Sequence, residues 1–147
     1  MGGVHRFQDL ECHKLAVQVR REILRLTRRE SVKREFRYVD QIRDAARSAT
    51  RNIAEGFSRF NPSETASYLS IVKASLDEVR DELQDGRESG YFSNEECDLV
   101  LALVARTIGA VMRWRRYLES SQAKRFYEHH KTGRRQREYT PRTAKEP

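Results

Sequence analysis

The stretch that decides the fold reads Val39-Asp40-Gln41-Ile42-Arg43-Asp44-Ala45-Ala46-Arg47-Ser48-Ala49-Thr50-Arg51-Asn52-Ile53-Ala54-Glu55-Gly56-Phe57. Its apolar residues Val39, Ile42, Ala46, Ala49 and Ile53 recur at alternating spacings of three and four. At 3.6 residues per turn, that spacing keeps one stripe on one side of a helix, and the stripe needs partners to bury it.

Three further segments carry the same spacing. The first holds Leu10, Val17 and Leu24, with Cys12, Ala16, Val19, Ile23 and Leu26 on an adjoining line. Another holds Leu69, Val72, Leu76, Val79, Leu83 and Gly86. The last holds Cys97, Leu101, Val104, Ile108, Val111 and Leu118, interrupted at Arg115. A period near 3.5 favours shallow crossing angles. Pro62 is the only proline before residue 141, so long segments run without breakers.

The helix ends agree with this reading. Asp9 is placed to cap the first helix. Asn61-Pro62-Ser63-Glu64 and Ser93-Asn94-Glu95-Glu96 predict the starts of the third and fourth helices, and Gly90 suits a left-handed end to the third. Short loops predict antiparallel neighbours. The expected fold is all-α: an antiparallel up-down-up-down four-helix bundle spanning 9–119. Residues 1–8 form an N-terminal arm on this reading, helix four can run on to about His130, and 133–147 form a disordered basic tail.

The 147 residues carry 29 Lys+Arg against 22 Asp+Glu, net +7, and 23 of the cations are arginine. Residues 1–59 hold 14 basic and 8 acidic side chains, net +6; residues 60–119 hold 7 and 11, net −4; residues 120–147 hold 8 and 3, net +5. A basic half facing an acidic half suits helix pairing or subunit assembly as well as a polyanion partner. No apolar run approaches the roughly 18 residues of a membrane span, and no signal-peptide pattern is present. Cys12 and Cys97 form no CxxC pair, which suits reduced thiols in the cytoplasm.

The run Gln41-Ile42-Arg43…Asn52-Ile53-Ala54-Glu55-Gly56 resembles the signature of the four helix bundle protein family, also called the 23S rRNA intervening-sequence protein family. Phe7-Gln8-Asp9-Leu10-Glu11, Tyr68-Leu69, Ala74-Ser75-Leu76-Asp77-Glu78 and Gly90-Tyr91 are similar to that family's corresponding segments, so the likeness covers about 7–119. It implies a four-helix bundle that assembles as a homopentamer. Some members are encoded within intervening sequences of ribosomal RNA genes. A fold relative, the accessory variability determinant of diversity-generating retroelements, is a basic pentamer that binds a reverse transcriptase and nucleic acid. The chain departs from the family pattern in carrying Cys12-His13 where an aromatic residue is common, and in its basic tail.

Within the motif, Asn52 and Glu55 share a helix face and form either a polar pocket or local structural contacts; Glu55 also lies four residues from Arg51. Gly56 permits close packing or termination. Arg43, Arg47 and Arg51 recur every four residues and form either a phosphate-tracking row or a salt-bridge ladder, diluted by Asp40 and Asp44. Arg113-Trp114-Arg115-Arg116-Tyr117 interleaves cations with aromatics, as base stacking requires, while a tryptophan so placed more often fills the end of a bundle. Lys131, Arg134, Arg135 and Arg137 resemble a flexible arm that attracts nucleic acid without sequence preference. The acidic pairs Asp77/Asp81 and Glu78/Glu82 are expected to form a solvated face that meets arginines of neighbouring helices or subunits.

His5, His13, His129 and His130 form no metal-ligand spacing with carboxylates, and no catalytic motif occurs, so no metal, cofactor or enzyme activity is expected. The predicted function is a non-enzymatic, oligomeric nucleic-acid-binding or adaptor protein. Its expected partners are copies of itself, RNA or DNA, and a protein such as a reverse transcriptase. A purely structural interaction module is the alternative.

Overall fold

The computed structural model describes residues 8, 10–59, 61–120, 123, 125, 128 and 129. Four helices follow in order: α1 (Glu11–Thr27), α2 (Phe36–Phe57), α3 (Pro62–Glu88) and α4 (Asn94–Glu119). The described residues contain no strand. Each helix packs on its two neighbours in the cycle α1–α2–α3–α4–α1, so α1 and α3 occupy opposite corners.

Contacts at the ends fix the directions. At one end, Arg29 pairs with Glu96, Cys97 Sγ reaches the Leu83 carbonyl, and the Ser31 hydroxyl donates to the Tyr91 carbonyl at 2.8 Å. At the other, Arg113 reaches Glu11 at 3.2 Å and the Thr65 hydroxyl donates to the Gly56 carbonyl at 3.0 Å. Starts therefore sit beside the ends of neighbours, and the bundle is antiparallel, up-down-up-down.

The α2 stripe Val39, Ile42, Ala46, Ala49 and Ile53 is buried, as is the α3 stripe from Leu69 to Gly86. In α1 the adjoining line, Cys12, Ala16, Val19, Ile23 and Leu26 together with Leu15, faces the core, whereas Leu10, Val17 and Leu24 are half-buried. In α4 the buried surface broadens to include Val100, Thr107 and Ala110, while Leu101 and Ile108 are half-buried. The Thr107 hydroxyl is satisfied by the Leu103 carbonyl at 2.8 Å.

Caps start the last two helices. Asn61 Oδ1 accepts from the Ser63 N–H at 2.9 Å, with Pro62 at the first helical position. Ser93 and Glu96 form a reciprocal capping box, each bond 3.2 Å long. Gly90 ends the turn after α3 at φ +76°, a left-handed conformation that most L residues avoid. The N-cap of α1 falls on Leu10, which makes no side-chain capping bond; the proposed cap Asp9 lies outside the described residues. Helix α4 stops at Glu119 because Ser120 turns extended, at ψ 153°. The Ser120 hydroxyl then accepts from the Ala123 N–H at 3.3 Å, and the predicted run toward His130 lies largely outside the described residues. Of the predicted arm at 1–8 only Gln8 is described, and the predicted tail at 133–147 lies outside the described residues.

Candidate nucleic-acid interface

The motif on α2 is chiefly a helix-packing device. Asn52 is buried, and its Nδ2 donates to the Ser48 carbonyl at 2.8 Å and to the Ser48 hydroxyl at 3.1 Å. That hydroxyl meets the Ser75 hydroxyl of α3 at 2.8 Å. A polar chain thus crosses the α2–α3 seam with its buried groups satisfied, as a structural role demands. Gly56 lets α3 approach closely: a Cβ there would lie 3.1 Å from Tyr68 Cβ. Glu55 faces away from this network and pairs with Arg59 at 3.5 Å, not with Arg51. Asn52 and Glu55 therefore form no shared pocket.

The arginine row does not act as one surface. Arg43 turns toward α1, where its Nε donates to the buried Thr27 hydroxyl at 2.8 Å. Arg47 and Arg51 remain exposed beside an open groove of about 520 Å³, lined also by Gln41, Asp44, Ala45, Ser48 and Glu78. Asp44 lies 3.7 Å from Arg47, a loose exposed pair. The groove can hold an anion only at its Arg47–Arg51 side, because Asp44 and Glu78 repel one elsewhere.

On α4, Arg113 is engaged with Glu11, and Arg115 lies 3.5 Å from Glu119 and 3.5 Å from the Ser70 hydroxyl. Trp114 packs on the core and against Phe57, ring centroids 6.4 Å apart, closing the bundle end. Its half-buried indole is spent on packing, so the stacking platform read from the sequence is not formed. Arg116 stays exposed with no ion pair among the described residues. Lys131, Arg134, Arg135 and Arg137 lie outside the described residues.

Three features escaped the sequence reading. Lys14, Arg20, Arg21 and Arg28 on or just after α1, with Arg34 and Arg37 near the start of α2, are exposed and make no ion pair among the described residues. Their exposure follows from the α1 stripe, once the buried line is correctly chosen. The second feature is an aromatic cluster: Tyr38 stacks beside Tyr91 at 5.1 Å and Phe92 at 6.4 Å, and its hydroxyl donates to the Glu82 carbonyl. Gly86 makes room for both rings, since a Cβ there would lie 2.5 Å from Tyr38 Oη and 2.6 Å from Phe92 Cε2. Large exposed apolar side chains are the third: Phe36 at 73% and Leu99 at 74% exposure.

Acid–base chemistry is muted. Burial pushes the Cys12 thiol up to about 12 and also raises Cys97, so neither is poised as a thiolate nucleophile. Burial lowers the His13 pKa. No cluster of His, Cys, Asp and Glu among the described residues could hold a metal ion, and no described helix is long and apolar enough to cross a membrane.

A comparison with curated proteins finds no match. The family model described as "23S rRNA-intervening sequence protein" matches residues 8–113, which include the α2 motif, the Gly56 approach and the α3–α4 turn. The chain belongs to the 23S rRNA-intervening sequence protein family.

Proposed function

We propose that the protein is a non-enzymatic, self-assembling adaptor that binds nucleic acid. One observation carries the reading: exposed cations crowd the α1–α2 half of the bundle without internal carboxylate partners, from Lys14 and Arg21 through Arg34 and Arg37 to Arg51. Unneutralised guanidinium groups seek phosphate or carboxylate from outside the chain. Family membership supports an RNA-associated role. The homopentamer implied by the family likeness would multiply weak contacts through avidity. Arg34, Arg37, Arg47 and Arg51, with the basic C-terminal segment, are the proposed phosphate contacts. By fold analogy a reverse transcriptase is a candidate protein partner, and the cytoplasm the site of action.

The second reading, a purely structural interaction module, draws on Arg43, Arg113 and Arg115, whose side chains bond within the bundle. Binding of a labelled RNA oligonucleotide by the full chain across a salt series separates the two. The adaptor reading expects log Kobs to fall linearly with log salt; no binding at low salt leaves the structural module.

A further inference from the structure

We infer that copies of this chain join side by side, α1 of one against α3 of the next, through complementary charged stripes. The inference rests on the self-assembly part of the proposed function; it takes Lys14 and Arg21 for the contact between copies and leaves Arg34, Arg37, Arg47 and Arg51 to phosphate.

On α1, Lys14, Gln18, Arg21, Arg25 and Arg28 follow one another at spacings of four and three, and all are exposed. The stripe runs about 21 Å at 1.5 Å per residue. Its acidic neighbours are already engaged, Glu22 by Arg25 at 2.6 Å and Glu11 by Arg113 at 3.2 Å. On α3, Ile71, Ala74, Glu78, Asp81, Asp85 and Glu88 repeat the same alternation, and all are exposed. None of those four acids has an ion pair among the described residues; Asp77 instead takes up Lys73 and Arg80 of its own helix, at 2.8 and 2.9 Å. Four like charges at successive positions repel one another and call for an external cationic partner.

The two stripes match in height as well as sign. Glu11 and Ser70 lie at one level, since Arg113 and Arg115, two residues apart on α4, reach them respectively. At the other end Arg29 meets Glu96 while Arg87 meets Asp98, again two residues apart. Arg21, Arg25 and Arg28 therefore sit level with Asp81, Asp85 and Glu88. Lys14 sits near Ile71 and Ala74, where its aliphatic stem can cover Ile71, 46% exposed.

Opposite corners make the contact head-to-tail. Because α1 and α3 run in the same direction, rotating one copy about an axis along the bundle brings α1 beside its neighbour's α3 without changing level. Such a heterologous contact closes into a ring where the rotation between copies closes and otherwise propagates as a filament. A nucleic acid on the same cations would leave the matching acidic stripe without a partner.

A charge swap in the full-length chain tests this by light scattering at low salt, with circular dichroism confirming helix content. The α1 variant Arg21→Glu/Arg25→Glu carries acid on both faces; the α3 variant Asp81→Arg/Asp85→Arg carries base on both. Each variant is expected to fall to monomer, a mixture of the two to re-associate, and the four-site chain to regain the wild-type mass. A monomeric wild type, or an α1 or α3 variant that keeps the wild-type mass, overturns the interface. So does a mixture that stays monomeric. An α1 variant that loses RNA binding at unchanged mass overturns it too, and assigns the stripe to nucleic acid.

Discussion

The buried Thr65 hydroxyl donates to the Gly56 carbonyl at 3.0 Å, stitching the last turn of α2 to the first turn of α3. The Arg59 N–H reaches the same oxygen at 3.2 Å, so the carbonyl is doubly satisfied where the chain reverses. Thr65→Val keeps the side-chain shape and removes the donor. Urea unfolding is expected to show a loss of about 1 kcal/mol, the usual net value of such a bond. An unchanged midpoint would remove this contact from the reasons the turn forms.

Two glycines should respond oppositely to alanine. Gly109 has room for a Cβ, its nearest contact being Arg113 Nη1 at 3.5 Å, so Gly109→Ala is expected to add up to about 1 kcal/mol of helix propensity. Gly86→Ala drives a methyl into Tyr38 and Phe92 and should cost about 1–3 kcal/mol through overpacking, less the propensity gain. Matched urea melts decide the point; equal shifts would contradict the close approach at Gly86.

Much of the bundle could be read directly from sequence. The α2 and α3 stripes, the Asn61 and Ser93 caps and the left-handed Gly90 depend on local spacing and local chemistry, and all are present. The α1 face was harder, because two apolar lines lie side by side on that helix and only packing selects between them. Arg43 bonding Thr27 depends on how α1 crosses α2, which no spacing within α2 encodes. The Tyr38–Gly86–Phe92 cluster joins α2 to the end of α3 and the loop after it, which are distant from α2 in the chain. The Arg–aromatic run at 113–117 has the composition of a stacking platform, but Phe57 draws Trp114 into the bundle end.

Asn52 offers a test of structure against binding. Asn52→Ala leaves the Ser48–Ser75 pair without its third member and opens space at a buried site. A loss of about 1–3 kcal/mol in unfolding free energy is expected, with oligonucleotide affinity unchanged. Lost affinity at retained stability would restore the polar-pocket reading of Asn52.

Acid should loosen the α1–α4 end. The Arg29 guanidinium, hydrogen-bonded to Glu96, lowers that carboxyl pKa, and the Ser93 N–H adds to the effect. A depressed folded pKa means stabilisation present above the unfolded value and lost as pH falls through the folded one. Following the Glu96 carboxyl by NMR titration should show it ionised below its ordinary range, and Arg29→Met should move it back up. An identical titration in both chains would exclude the pair as the cause.

Arg47 and Arg51 should matter to nucleic acid where Arg113 does not. Arg47→Met/Arg51→Met is expected to weaken RNA binding and flatten the salt slope by about 0.7 for each lost contact on a single strand. Arg113→Met, whose cation already meets Glu11, should leave slope and affinity nearly unchanged. Equal effects would place the binding surface elsewhere.

The most direct measurement is sedimentation velocity of the full-length chain with a fluorescent single-stranded RNA, read at the dye wavelength and in protein absorbance. The adaptor reading expects the dye to migrate with an oligomer of the protein at low salt and to return to the free-RNA boundary at high salt. Dye that stays at the free-RNA boundary at low salt, beside protein that is assembled and folded, would contradict it.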